Sequence, residues 1–140
     1  MIRNVLLDTG PLVAFLNQAD RLHEWAVAQW AEIEPPMLTC EAVLAEACFL
    51  LRRLDEGVTA VLGLVEHGVL KVPFRVESEA EAIRKLLRRY ANVPMSLADA
   101  CLVRMVEHDD RSRVFTADTD FRIYRASGRR VVPTLMPTRI

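Results

Sequence analysis

Residues 3–17 read RNVLLDTGPLVAFLN, and the order of side-chain types in this stretch decides the fold class. The short apolar run RNVLLD (3–8) reads as a strand ended by turn-forming residues. Pro11 suits the first turn of a helix, with Asp8 or Thr9 as the cap, so a short helix is expected from Pro11 to about Asn17. A strand that passes through an acid straight into a helix opens a βα unit.

The alternation continues along the chain. A helix from about His23 to Glu34, closed by Pro35 and Pro36, precedes a short strand at 37–39. Helices at about 41–55 and 58–67 are separated by Gly57, and Gly68 introduces a strand within VLKVP (69–73). A helix at about 77–91 begins with Glu77, Glu79 and Glu81 and ends in basic residues, as its dipole favours, and another covers 97–108. A strand at 113–116 (RVFT), a short helix near 119–126 ended by Gly128, and a terminal strand RVVP (130–133) follow. Strands alternating with helices imply a mostly parallel sheet covered on both faces, in a single domain over 1–140.

Composition narrows the function classes. The 140 residues are 51% hydrophobic and 26% charged, as in soluble globular proteins, and are enough to bury a core without disulfides or metal staples. A net charge of -1 gives no global attraction to nucleic acid. Arginine nevertheless clusters at Arg52 and Arg53, from Arg84 to Arg89, and at Arg129 and Arg130, in solvated faces that can also meet phosphates. Cys40, Cys48 and Cys101 form no metal-type spacing, and Cys48 and Cys101 read as small core residues. His23, His67 and His108 show no partner pattern and read as surface residues. No apolar run approaches the roughly 18 to 20 residues that span a bilayer, and a soluble protein of the reducing cytoplasm is expected.

The acids carry the chemistry. In open parallel sheets ligands bind beyond the carboxyl ends of the strands. Asp8 ends the first strand, and Asp118 and Asp120 follow the strand RVFT. Each alone is explained as a helix cap, but together they bring carboxylates from two strand ends to one rim. In the helix EAVLAEACFLLRRL, Glu46 borders an apolar stripe through Val43, Ala47, Leu50 and Leu54. Glu41, in the first turn of that helix, is explained by the dipole. In SLADACLV (96–103), Ser96 and Asp99 match a capping box, yet Asp99 shares a face with Leu102, Val103 and Val106. Converging carboxylates repel and raise one another's pKa unless a cation neutralises them, and an all-oxygen set selects magnesium or manganese over zinc.

The same residues carry a family resemblance. LLDTGPLVAFL, TCEAVLAEACFLL, MSLADACLV and FTADTDF, in this order over essentially the whole chain, resemble the motifs of the PIN-domain ribonucleases, and among them the VapC-type toxins of toxin–antitoxin pairs. The resemblance implies an α/β fold, a three-layer αβα sandwich around a short, mostly parallel sheet. It implies Asp8, Glu46, Asp99 and Asp118 as catalytic, metal-holding acids, Asp120 as an accessory acid, and Thr116 as the residue that orients the fourth acid or a water. It further implies cleavage of RNA with Mg2+ or Mn2+, a cognate antitoxin and a homodimer. The alternatives are a stand-alone PIN-fold RNA-binding or RNA-processing protein without an antitoxin, and a phosphoaspartyl hydrolase suggested by DTD at 118–120. The last would need DxD after the first strand or a lysine after a late one, and neither Lys71 nor Lys85 follows DTD.

Overall fold

The computed structural model describes residues 1–138, so the end of the expected 1–140 span lies outside the described residues. The chain runs β1 (Val5–Leu7), α1 (Thr9–Leu16), α2 (His23–Ala31), β2 (Met37–Leu38), α3 (Glu41–Leu50), α4 (Gly57–Glu66), β3 (Leu70–Lys71), α5 (Val76–Arg89), α6 (Leu97–His108) and β4 (Arg113–Phe115). A 3-10 turn at Thr119–Arg122 then leads to β5 (Arg125–Ala126), β6 (Arg130–Val131) and β7 (Thr134–Leu135).

Five strands form one parallel sheet in the order β3-β2-β1-β4-β7. Leu6 of β1 registers with Leu38 on one side and with Val114 on the other. Such a sheet must be covered on both faces, and its central strand β1 is accordingly apolar throughout: Val5, Leu6 and Leu7 are all buried. With this strand order, the rule that parallel crossovers are right-handed puts α1 to α4 on one face and α5 and α6 on the other, the expected αβα sandwich. Contacts agree, with α1 packed on α2 and α3, α3 on α4, and α5 on α6. Trp25 and Trp30 of α2 meet Phe115 of β4 edge-on.

The winding sets where a ligand can sit. From β1 the chain steps one way to β2 and β3, then returns across the sheet to β4 and β7. The strand order therefore reverses between β1 and β4, and the carboxyl ends of these two neighbours flank the crevice of an open α/β sheet. This end is stitched by the Asp8 N–H, which donates to the Phe115 carbonyl (3.0 Å), and by the Thr39 hydroxyl, which donates to the Leu7 carbonyl (2.8 Å).

Four expectations need correction. The helix from His23 stops at Ala31, short of Glu34, because Ile33 is drawn into a parallel bridge with Ile2 and buried there. The helix at 41–55 stops at Leu50, and Glu56 turns left-handed (φ 57°) before Gly57 opens α4. Gly57 is required there, since a Cβ would lie 2.6 Å from the Leu51 carbonyl oxygen. The segment 119–126 is helical only as a single 3-10 turn at Thr119–Arg122: Ser127 and Gly128 take positive φ (53° and 79°) and reverse the chain, so β5 and β6 pair as an antiparallel hairpin. RVVP thus contributes to that hairpin, and the sheet edge is Thr134–Leu135 instead.

Two side-chain expectations also change. His23 is only half-exposed, with Nδ1 2.7 Å from the Ala14 carbonyl, whereas His67 and His108 are exposed as expected, His108 with Nε2 2.6 Å from Glu79. Cys101 is buried as expected, whereas Cys48 is only half-buried, and Cys40 is buried with its thiol against that of Cys101.

Candidate active site

Asp8 is the first residue past β1 and the N-cap of α1, where its Oδ1 accepts the Thr9 N–H (2.8 Å). Its Oδ2 accepts from the Thr116 hydroxyl (2.7 Å), and the Thr116 oxygen in turn accepts the Asp118 N–H (2.9 Å). Thr116 therefore joins the first and fourth acids, where the resemblance implied only an orienting role toward the fourth acid or a water. Asp118 caps the 3-10 turn, accepting the Asp120 N–H at Oδ1 (2.9 Å).

Asp99 sits in the first turn of α6, and the capping-box geometry is present: the Ser96 hydroxyl oxygen accepts the Asp99 N–H (3.0 Å). Leu102, Val103 and Val106 are fully buried on the same face, and Asp99 itself is 8% exposed. The Asp99 carboxylate accepts at Oδ2 from the hydroxyl of Tyr124 (2.8 Å), a side chain with no exposure at all. Tyr124 was absent from the sequence-level inventory. The signal that points to it is elementary: a tyrosine in an apolar setting needs a partner for its hydroxyl.

Glu46 lies on α3 and is exposed, and so are Phe49 and Leu50, three and four residues on. The expected apolar stripe holds for Val43 and Ala47 but not for Leu50 and Leu54, because the helix ends at Leu50 and the chain turns away. Glu46 thus reaches the site from an exposed helix face and not from the border of a buried one.

One cavity of about 410 Å³ gathers these residues. Asp8, Glu46, Asp99, Asp118 and Asp120 all line it, together with Thr9, Gly10, Pro94, Ser96 and Ala117. None of these lining residues is a lysine, arginine or histidine. The electrostatic consequence falls on the buried acids. Burial pushes Asp8 up to about 7, against the hydrogen bonds from Thr116 and Thr9, and the charges of Asp99 and Asp118 add to the rise. Asp99 is raised as well, by burial first and then by the charge of Asp118, with the Tyr124 hydrogen bond opposing.

The donor set fits a hard divalent cation: five carboxylates, all-oxygen, with no cation of the protein's own. Thr9 Oγ1 adds an unpartnered buried hydroxyl in the cavity wall. Among the described residues no three acid, histidine or cysteine side chains are drawn close enough to form a ready-made cage. Magnesium does not require one, since it keeps several waters and takes only one or two carboxylates directly. A larger cavity of about 510 Å³, between α5, α6 and the β5–β6 hairpin, differs in kind: Lys85, Arg89 and Arg104 line it beside Glu79, Glu81 and Glu107.

A parallel sheet with acids converging at its switch point is one of several nuclease-type scaffolds, and comparison with known proteins decides among them. The PIN domain family model matches residues 5–126, and the chain belongs to that family. Among solved structures, it is similar to VapC20 of Mycobacterium tuberculosis, described as a toxin that cleaves the sarcin-ricin loop. The match has 25% identity and a TM-score of 0.75 and covers 92% of this chain and 99% of that one. Comparison with curated protein sequences finds no match.

Proposed function

We propose that the chain is a metal-dependent endoribonuclease, acting as the toxin of a toxin–antitoxin pair on single-stranded segments of structured RNA. The observation that carries this reading is the cavity at the β1/β4 switch point, lined by five carboxylates and no cation. Membership of the PIN family supports nuclease chemistry, and the likeness to an RNA-cleaving toxin over nearly the whole of both chains supports the finer reading.

In this reading Asp8 and Asp99 hold the main ion, Glu46 and Asp118 complete its shell or orient water, and Asp120 is accessory. When bound, Mg2+ or Mn2+ acidifies water and neutralises charge developing on a phosphodiester. Thr116 keeps Asp8 and the Asp118 backbone in fixed relation through its two hydrogen bonds. The burial that raises Asp8 also removes competing water, so an ion there is felt strongly. Glu46, on an exposed helix face, is free to meet the ion and the RNA as they arrive.

Exposed apolar surface along α3 and α4 supports the antitoxin part of this reading. Phe49 is 60% exposed, and Leu50, Leu54, Val58 and Leu62 add exposed apolar area along α3 and α4, close to Arg52 and Arg53. No helix among the described residues is long and apolar enough to cross a membrane, and a cytoplasmic setting is part of the proposal.

The test is cleavage of a structured RNA by the purified chain. Turnover is expected with Mg2+ or Mn2+ and not with a chelator. Asp99→Asn is expected to lose more than the roughly 10- to 100-fold typical of removing a group behind a metal ligand. Cleavage by Asp99→Asn at the wild-type rate, or undiminished cleavage in chelator, would end the reading.

A further inference from the structure

We propose that Tyr124 is a positioning residue for the metal ligand Asp99: its buried hydroxyl anchors Oδ2 and thereby sets the plane in which the carboxylate meets the cavity. The inference rests on the reading of Asp99 as a ligand and adds a residue that the acidic motifs do not contain.

A carboxylate is a rigid planar group, so fixing one oxygen fixes the direction of the other. Tyr124 can do this because it has no freedom of its own. Its ring is held edge-on by Tyr90 (centroids 5.1 Å, 67°) and by Phe121 (5.2 Å, 85°). Its backbone N–H donates to the Asp120 carbonyl (3.2 Å), which ties it to the turn that carries Asp118 and Asp120. The loop after β4 therefore supplies both an acid at the cavity and the donor that sets the acid on α6.

Packing alone does not account for the hydroxyl. Phe115 and Phe121 fill neighbouring core positions without one, and a buried hydroxyl is tolerated only where it finds an acceptor. The acceptor here is a carboxylate at the cavity, at a distance of 2.8 Å suited to a charge-assisted bond. Ligating carboxylates are held in this way by partners behind them.

Tyr90 provides a matched control. It lies in the same aromatic cluster and its buried hydroxyl also has a partner, but that partner is the Arg125 N–H (2.8 Å) and no acid. Loss of either hydroxyl removes one hydrogen bond from the same core; only loss of the Tyr124 hydroxyl removes a bond to the Asp99 carboxylate.

The experiment is calorimetric titration of the full chain with Mn2+ alone. Tyr124→Phe is expected to weaken Mn2+ binding by roughly 10- to 100-fold, while Tyr90→Phe stays within about twofold of wild type. In the unmutated chain, NMR titration with Mg2+ should shift the Tyr124 ring signals and leave those of Tyr90 in place. Wild-type affinity in Tyr124→Phe, or equal losses in both variants, would overturn the inference while leaving the metal reading intact. Absence of Mn2+ binding by the wild type would overturn the metal reading and this inference with it.

Discussion

Helix α6 carries acids at both ends, and the fold treats them in opposite ways. At its N-terminus Asp99 faces a cavity with four other carboxylates and no cation. At its C-terminus Glu107 pairs with Arg104 (3.1 Å), and Arg104 also holds Glu79 of α5 (2.6 Å), which in turn meets His108 (2.6 Å). The acids respond accordingly. The hydrogen bond from Arg104, helped by His108, holds the Glu79 carboxyl below its ordinary range, whereas burial with no cation beside it pushes Asp99 above it, against the hydrogen bonds from Tyr124 and Ser96. Asp99 and Glu107 lie about two turns apart on one helix, yet only the C-terminal acid is given a cation. A protein retains uncompensated buried carboxylates where something else supplies the charge, which is why the smaller of the two cavities is the candidate site.

The contrast is most exposed to a pH experiment on the metal-free protein. Asp8, 6% exposed, has its carboxyl raised to about 7 from an ordinary value of 3.8. A group raised in the folded state contributes stability that is complete below its unfolded pKa and lost as pH rises through the folded one. In chelator, the wild type should therefore lose roughly a few kcal/mol relative to Asp8→Asn between about pH 4 and pH 7. Denaturant unfolding at several pH values measures the difference, and added Mg2+ should restore stability to the wild type alone. A pH-independent difference would mean that burial does not raise the Asp8 carboxyl, and stability rising with pH would mean that Asp8 is compensated as Glu79 is.

The other end of α6 is probed by Arg104→Met. The Glu79 side chain is 16% exposed and Glu107 is similarly covered, so this ion-pair network is neither a free surface pair nor a fully buried one. Removing its shared cation should cost about 1 to 2 kcal/mol of stability, between the two limits, and leave RNA cleavage at the wild-type level. Loss of cleavage with stability unchanged would reverse the roles assigned to the two ends.

The smallest effect concerns the cap behind Asp99. Ser96→Ala removes the side-chain acceptor for the Asp99 N–H and should cost about 1 kcal/mol, read as a modest drop in melting temperature. Cleavage should fall less than in Tyr124→Phe, because the Ser96 backbone stays behind the Asp99 carboxylate when its hydroxyl is removed, whereas Tyr124 reaches that carboxylate through its hydroxyl alone.

Much of this was legible in the sequence. Alternating strands and helices announced the parallel sheet, the residues around SLADACLV predicted the burial of Asp99, and the positions of Asp8 and Asp118 after strands placed them at one rim. Less legible were the ends of the elements. Glu46 was singled out for bordering a buried stripe, yet half of that stripe is exposed because α3 stops at Leu50. The segment after Asp120 looked helical until Ser127 and Gly128 turned it into a hairpin. Local pattern reports which face of an element can be buried; it does not report where tertiary contacts end the element.

Hydrophobic period, turn residues and the spacing of the acids depend on near neighbours in the chain, and these sufficed to read the fold class and to single out the five carboxylates that line the cavity. Only the tertiary structure decided how those carboxylates are held. The hydroxyl of Thr116 reaches Asp8 across 108 positions, that of Tyr124 reaches Asp99 across 25, and no cation is brought to either acid among the residues that line their cavity. Charge compensation is set by distance in space, and the sheet's winding is what makes those distances short.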